Sequence, residues 1–246
     1  MSCEACRTIP PVIAQGYTPK GQYETIAGLN TYVTGKTDGR IGIVHVYDVF
    51  GLANQTLQGA DLLAARLNAV VLVPDFFKGD ALEAHMIPAD TDEKKKRIGS
   101  FLATSANVER NLGVLLAAVP EYRVRFPSVN KWGANGLCWG GKLTILASGF
   151  NTPFAASSQC HPGLMDAADA QSVAIPHLVL ASKDEEFETV AAYQPLVAPK
   201  GGAVETYSTM WHGWMGARAD LEKEESRAEY VRGYTQLADF FEKHLA

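Results

Sequence analysis

Apolar positions along this chain fall into short blocks of two kinds, and the alternation of those blocks predicts the architecture. Residues 23–26 and 29–33 are strand-like and separated only by Ala27-Gly28, which reads as a tight hairpin. The run 41–47 is mostly apolar, as expected of a central strand covered on both faces. Apolar residues then recur at helical spacing over 56–67, and 69–73 returns to a strand stopped by Pro74. This is a βαβ step. The same order continues with an amphipathic helix over 107–119, a strand over 129–137, a helix over 142–148 and strands over 154–159 and 175–181. A helix over 189–196, a strand over 203–207 and a closing helix over 224–245 complete it. Strands alternating with helices predict an α/β fold, a mostly parallel central sheet with helices on both faces. Loops at the C-terminal ends of such strands carry the sites, which directs attention to residues 48–51, 74–79, 138, 160–163, 182–184 and 211–214.

Outside these blocks, residues 1–20 contain Pro10, Pro11, Gly16 and Pro19 and predict an extended N-terminal arm without regular structure. Residues 21–246 are expected to form a single domain. The segment from Pro74 to Lys96, with the charged run 92–97, reads as a surface excursion before a helix, and Glu93 to Arg97 as a solvated face.

Composition narrows the function more than the fold. A content of 47% hydrophobic and 20% charged residues is that of an ordinary globular chain, and a net charge of -5 leaves no broad basic face for nucleic acid. No apolar run reaches membrane-spanning length and the N-terminus lacks the charged-then-apolar order of a secretory signal, so a cytoplasmic location and no membrane partner are expected. A monomer or homodimer is expected, with no feature of the sequence that decides between them. The four cysteines are too few and too scattered for a disulfide framework. Cys3-x-x-Cys6 lacks a second close pair or a nearby histidine, so zinc there would need distant ligands that the sequence does not advertise, and no metal is expected.

The chemistry centres on Gly136-Leu137-Cys138-Trp139-Gly140, a Gly-x-Cys-x-Gly pattern resembling a nucleophile elbow. A nucleophile on a strained turn between strand and helix needs near-absent side chains two positions to either side, and Gly136 and Gly140 supply them. At the N-terminus of the following helix, backbone N–H groups and the helix dipole favour a thiolate. Nucleophilic catalysis also needs a base and a group that orients it, in the chain order nucleophile, acid, histidine for this architecture. Cys138, Asp184 and His212 occur in that order, each on the loop after a different predicted strand. His45, His85, His177 and His244 read as structural. His161 follows a strand but precedes Asp184 and breaks the order.

With Asp48-Val49-Phe50-Gly51, Pro74-Asp75-Phe76-Phe77-Lys78-Gly79, His161-Pro162 and His212-Gly213-Trp214 added to the elbow, the chain from Gly21 to Leu245 resembles the dienelactone hydrolase family of the α/β-hydrolase superfamily. The resemblance implies a Cys-Asp-His triad opening a small enol-lactone or ester through an acyl-enzyme, with no metal or organic cofactor and an oxyanion hole from the N–H groups of Val49 and Trp139. Family members carry glutamate where this chain has Asp48, a carboxylate that helps deprotonate the cysteine. They also use arginines to hold a substrate carboxylate. Lys78 and Arg218 are the candidates here, with Phe50 and Trp214 as pocket walls, although lysine lacks arginine's bidentate fork. Two alternatives stay open: a pathway enzyme acting on another cyclic or activated acyl substrate, and a non-catalytic redox-sensing or binding protein on the same scaffold, for which Asp184 and His212 would have no use.

Overall fold

The computed structural model describes residues 4–14 and 16–246. Its centre is an eight-stranded sheet of β1 (Gln22–Ile26), β2 (Leu29–Gly35), β3 (Ile41–Val46), β4 (Val70–Pro74), β5 (Lys131–Leu137), β6 (Ala156–Cys160), β7 (His177–Ser182) and β8 (Ala203–Tyr207). The strands lie in the order β1-β2-β4-β3-β5-β6-β7-β8. The predicted hairpin β1–β2 joins β4 antiparallel, and every other pairing is parallel.

The chain fills one side of β3 with β4 and then crosses to the other side for β5. The crevice outside the C-terminal ends of β3 and β5 is therefore the switch point where such sheets hold their ligands. Register delivers the site to that edge: Val46 pairs with Gly136, and Leu137 with Cys160, so the residues after β3, β5 and β6 emerge side by side.

Helices cover both faces because adjacent strand residues point oppositely. On β5, Trp132 packs against Tyr122 of α4 (Val108–Arg125) and against Phe126 just beyond it, with ring centroids 5.8 and 6.3 Å apart. The next residue, Gly133, faces Phe241 and Leu245 of α8 (Glu224–Leu245). α2 (Asn54–Leu67) packs beside α8, and α5 (Trp139–Leu146) lies against β5, β6 and α4. Within the sheet, His45 and His177 are indeed structural. Each makes a 2.7 Å side-chain contact, to Asn135 and Ser157 respectively, and burial lowers both to a pKa of about 3, so they stay neutral.

Three segments differ from the sequence reading. The charged run belongs to a helix, α3 (Asp92–Ala103), whose Thr91 side chain caps Lys94 N–H at 3.2 Å. α4 runs on through Pro120 to Arg125. The arm also has regular structure, since Glu4–Thr8 forms the short helix α1 with Ala5 and Cys6 buried. Tertiary bonds hold it down: Ala89 N–H donates to Arg7 O at 3.0 Å and Val12 N–H to Ala217 O at 2.8 Å. Gln55 Nε2 donates to Val12 O at 2.8 Å. Cys3 lies outside the described residues. α6 (Ala167–Gln171) and α7 (Phe187–Val197) complete the set, and no helix of the described residues is long and apolar enough to cross a membrane.

Candidate active site

Cys138 occupies the turn between β5 and α5 with φ 50° and ψ -110°, a conformation that costs about 1–3 kcal/mol and that surrounding packing must hold. The two glycines make the turn possible. A Cβ on Gly136 would lie 2.1 Å from the carbonyl oxygen of Gly140, and a Cβ on Gly140 would lie 2.4 Å from that of Val46. Because both obstacles are backbone, nothing can swing aside. Gly136→Ala is therefore expected to lower unfolding free energy by about 3 kcal/mol, read by urea denaturation; a change below about 1 kcal/mol would mean that the elbow relaxes freely.

His212, on the loop after β8, places Nε2 3.1 Å from Cys138 Sγ. The acid behind it is Glu185, whose Oε1 lies 2.6 Å from His212 Nδ1. Asp184 does not take that place. Its Oδ2 accepts the backbone N–H of His212 at 2.8 Å, and its own N–H donates to Ser182 Oγ at 3.3 Å. The turn after β7 thus aims the second carboxylate of Asp184-Glu185-Glu186 at the imidazole and uses the first to pin the histidine backbone. The second oxygen of Glu185 accepts the N–H of Ser182, which fixes the side chain from behind. His161 stands edge-on to His212 with ring centroids 5.3 Å apart. Burial holds it neutral, and neither ring nitrogen meets a hydrogen-bond partner among the described residues.

The remaining candidates divide. Val49 and Trp139 line the cleft at Cys138. Asp48 is fully buried, and its oxygens accept the N–H groups of Phe50 at 2.9 Å and Ala217 at 3.0 Å, so it ties two loops together. Burial raises its pKa against the pull of those bonds and of Arg218. Arg218 is buried and stacks over Phe50 at 4.9 Å. It donates from Nε to Ile9 O at 2.5 Å and from Nη2 to Cys6 O at 3.2 Å, while Nη1 meets no partner among the described residues. Lys78 is exposed and lines a separate surface groove with Phe76, Phe77 and Arg110. Trp214 is buried packing, stacked on Tyr207 at 4.3 Å. Neither reaches the cleft at Cys138.

Cys6, set aside in the sequence with Cys3, lies at the site. Its Sγ, Cys138 Sγ and a His212 ring nitrogen all lie within 4.8 Å of one another. This arm thiol alters the electrostatics of the site. Its hydrogen bond, followed by burial and the Asp48 charge, raises the Cys138 thiol well above its ordinary value, which outweighs the helix dipole expected to favour a thiolate. Burial pulls His212 down, but hydrogen bonds with Cys6 and Glu185 prevail and raise it to about 9. At neutral pH the resting pair is a thiol beside an imidazolium.

A model of the dienelactone hydrolase family matches residues 29–245. Two Schizosaccharomyces pombe relatives, both described as uncharacterized AIM2 family proteins, are each 34% identical. One matches over 233 residues and 93% of either chain, the other over 222 residues and 89% of either. Among solved structures, a dienelactone hydrolase-like promiscuous phosphotriesterase from metagenomic libraries superposes with a TM-score of 0.64 at 20% identity, over 92% of this chain and 99% of that one. A Pyrococcus furiosus esterase gives 0.65 at 10% identity, over 98% and 99%. These structural likenesses establish the α/β-hydrolase fold.

Proposed function

The chain belongs to the dienelactone hydrolase family, and on that premise we propose that it is a cysteine-dependent hydrolase that opens a small lactone or ester through an acyl-enzyme. One observation carries the reading: His212 stands between Cys138 Sγ at 3.1 Å and Glu185 Oε1 at 2.6 Å, at a strained elbow. Cys138 is the nucleophile, His212 the base and Glu185 the orienting acid, in the chain order the architecture demands.

Cys138 Sγ attacks the acyl carbonyl, and the developing oxyanion is met by the N–H groups of Val49 and Trp139. His212 Nε2 then delivers its proton to the leaving oxygen, which for a lactone remains tethered to the acyl group. In the second half, Nε2 takes a proton from water, hydroxide adds to the thioester carbonyl, and collapse returns the thiol and a carboxylic acid. Glu185 holds the imidazole in one orientation throughout and stabilises its charged form. For a substrate that carries a carboxylate of its own, the candidate cation is Arg218, whose Nη1 is a buried donor without a partner among the described residues.

An activated aryl ester tests the reading. A burst followed by turnover supports it, whereas stoichiometric labelling without turnover would instead favour the redox-sensing or binding alternative. The pH dependence is equally specific. The reactive form carries one proton shared between Cys138 and His212, while the resting form carries two until pH reaches about 9. Accordingly, kcat/KM for a neutral ester should climb about tenfold per pH unit below that point and level off above it. Glu185→Gln should shift this rise to lower pH, since one of the causes that raise His212 is gone. A profile flat between pH 6 and 8 would contradict the assignment.

A further inference from the structure

The structure assigns Cys6, Cys138 and His212 to a zinc-binding site that holds the nucleophile out of use. Three ligand atoms from three distant segments, the arm helix α1, the elbow and the loop after β8, converge within 4.8 Å of one another, and all three residues are buried. Tetrahedral zinc with bonds of about 2.3 Å to sulfur and about 2.0 Å to nitrogen separates its ligand atoms by roughly 3.5–3.8 Å, so the observed spacing needs only small adjustments.

Two thiolates and one imidazole suit a borderline-soft divalent ion and leave a fourth position open. They also cancel its charge, which matters in a buried site already occupied by Asp48, Glu185 and Arg218. The 2.6 Å contact from Glu185 to His212 Nδ1 presents Nε2 outward and fixes its direction, the carboxylate–histidine relation found behind metal-bound imidazoles.

Binding to the resting form displaces three protons, one each from the Cys6 thiol, the Cys138 thiol and His212 Nε2. It leaves the nucleophile's sulfur coordinated. Entry requires that the five-residue α1 lift, breaking hydrogen bonds that include Arg218 Nη2 to Cys6 O and Ala89 N–H to Arg7 O and exposing Ala5 and Cys6. Only the inhibition rests on the hydrolase reading; the binding does not.

Cobalt reports the ligands directly, because each coordinated thiolate adds to a near-ultraviolet charge-transfer band. With reductant present, the full chain should take up one equivalent of Co²⁺, and Zn²⁺ should displace it. Cys6→Ser and Cys6→Ala should each lose about half of the band, and Glu185→Gln should weaken binding by about 10–100-fold. In buffered zinc, the free Zn²⁺ that halves ester turnover should rise at least about tenfold on Cys6→Ser. A band of equal intensity with and without Cys6, absence of any thiolate band, or a Cys6–Cys138 disulfide with no metal uptake after reduction would each overturn the assignment. Stoichiometric cobalt binding by a protein with no ester turnover would leave the metal site standing and remove the hydrolase reading.

Discussion

Cys138→Ala abolishes turnover of an activated aryl ester, lowering kcat by about 10⁴-fold or more, while thermal unfolding stays close to that of the parent. The size follows from the nucleophile's role. Without Sγ no acyl-enzyme forms, and only oriented binding beside the N–H groups of Val49 and Trp139 remains. The retained stability follows from the backbone. Cys138 already sits at φ 50°, and alanine bears that conformation at a cost similar to that of cysteine. What the variant loses is a single sulfur whose neighbours are His212, Cys6 and the turn of Gly163. Residual kcat within tenfold of the parent would take the nucleophile's role away from Cys138.

Glu185→Gln and Asp184→Asn separate two adjacent carboxylates that sequence order alone confuses. Glutamine at 185 keeps the shape but can present its amide N–H₂ to His212 Nδ1, which forces the proton toward Nε2 and leaves the base blocked on the side facing Cys138. The expected loss in kcat is about 10³–10⁴-fold. Asparagine at 184 can still accept the His212 backbone N–H through its carbonyl oxygen, so the loop stays closed and kcat falls less than about tenfold. Stopped-flow measurement of both half-reactions distinguishes the two. The reverse ranking, with Asp184→Asn severe and Glu185→Gln mild, would restore Asp184 as the orienting acid.

That pair also marks how far the sequence could be read. Strands β3, β4 and β7 are legible because buried parallel strands are short apolar runs, and the elbow because glycine at 136 and 140 has a steric cause that no other residue satisfies. The loop after β7 carries three consecutive carboxylates, and which one reaches the histidine depends on turn geometry that no periodicity encodes. Asp48 shows the same limit. As a residue type it suggests a base, yet in place its two oxygens bridge the loops at Phe50 and Ala217. Cys6 is further from reach. Nothing in a proline-marked arm announces a helix docked on a nucleophile 132 positions later in the chain (138 − 6), and the docking depends on Arg218 presenting donors to two arm carbonyls. Lys78 and Trp214 fail for the opposite reason, since correct loops were found but side-chain direction was not.

The most direct measurement is the mass of the enzyme caught during turnover. Mixing the metal-free protein with an activated aryl ester at pH 9, quenching with acid within the burst and digesting should place one acyl group on the peptide containing Cys138, as a thioester cleaved by hydroxylamine. The adduct should accumulate further in Glu185→Gln if deacylation is the slower half. An acyl group on another residue, or turnover with no covalent adduct at any quench time, would contradict the account.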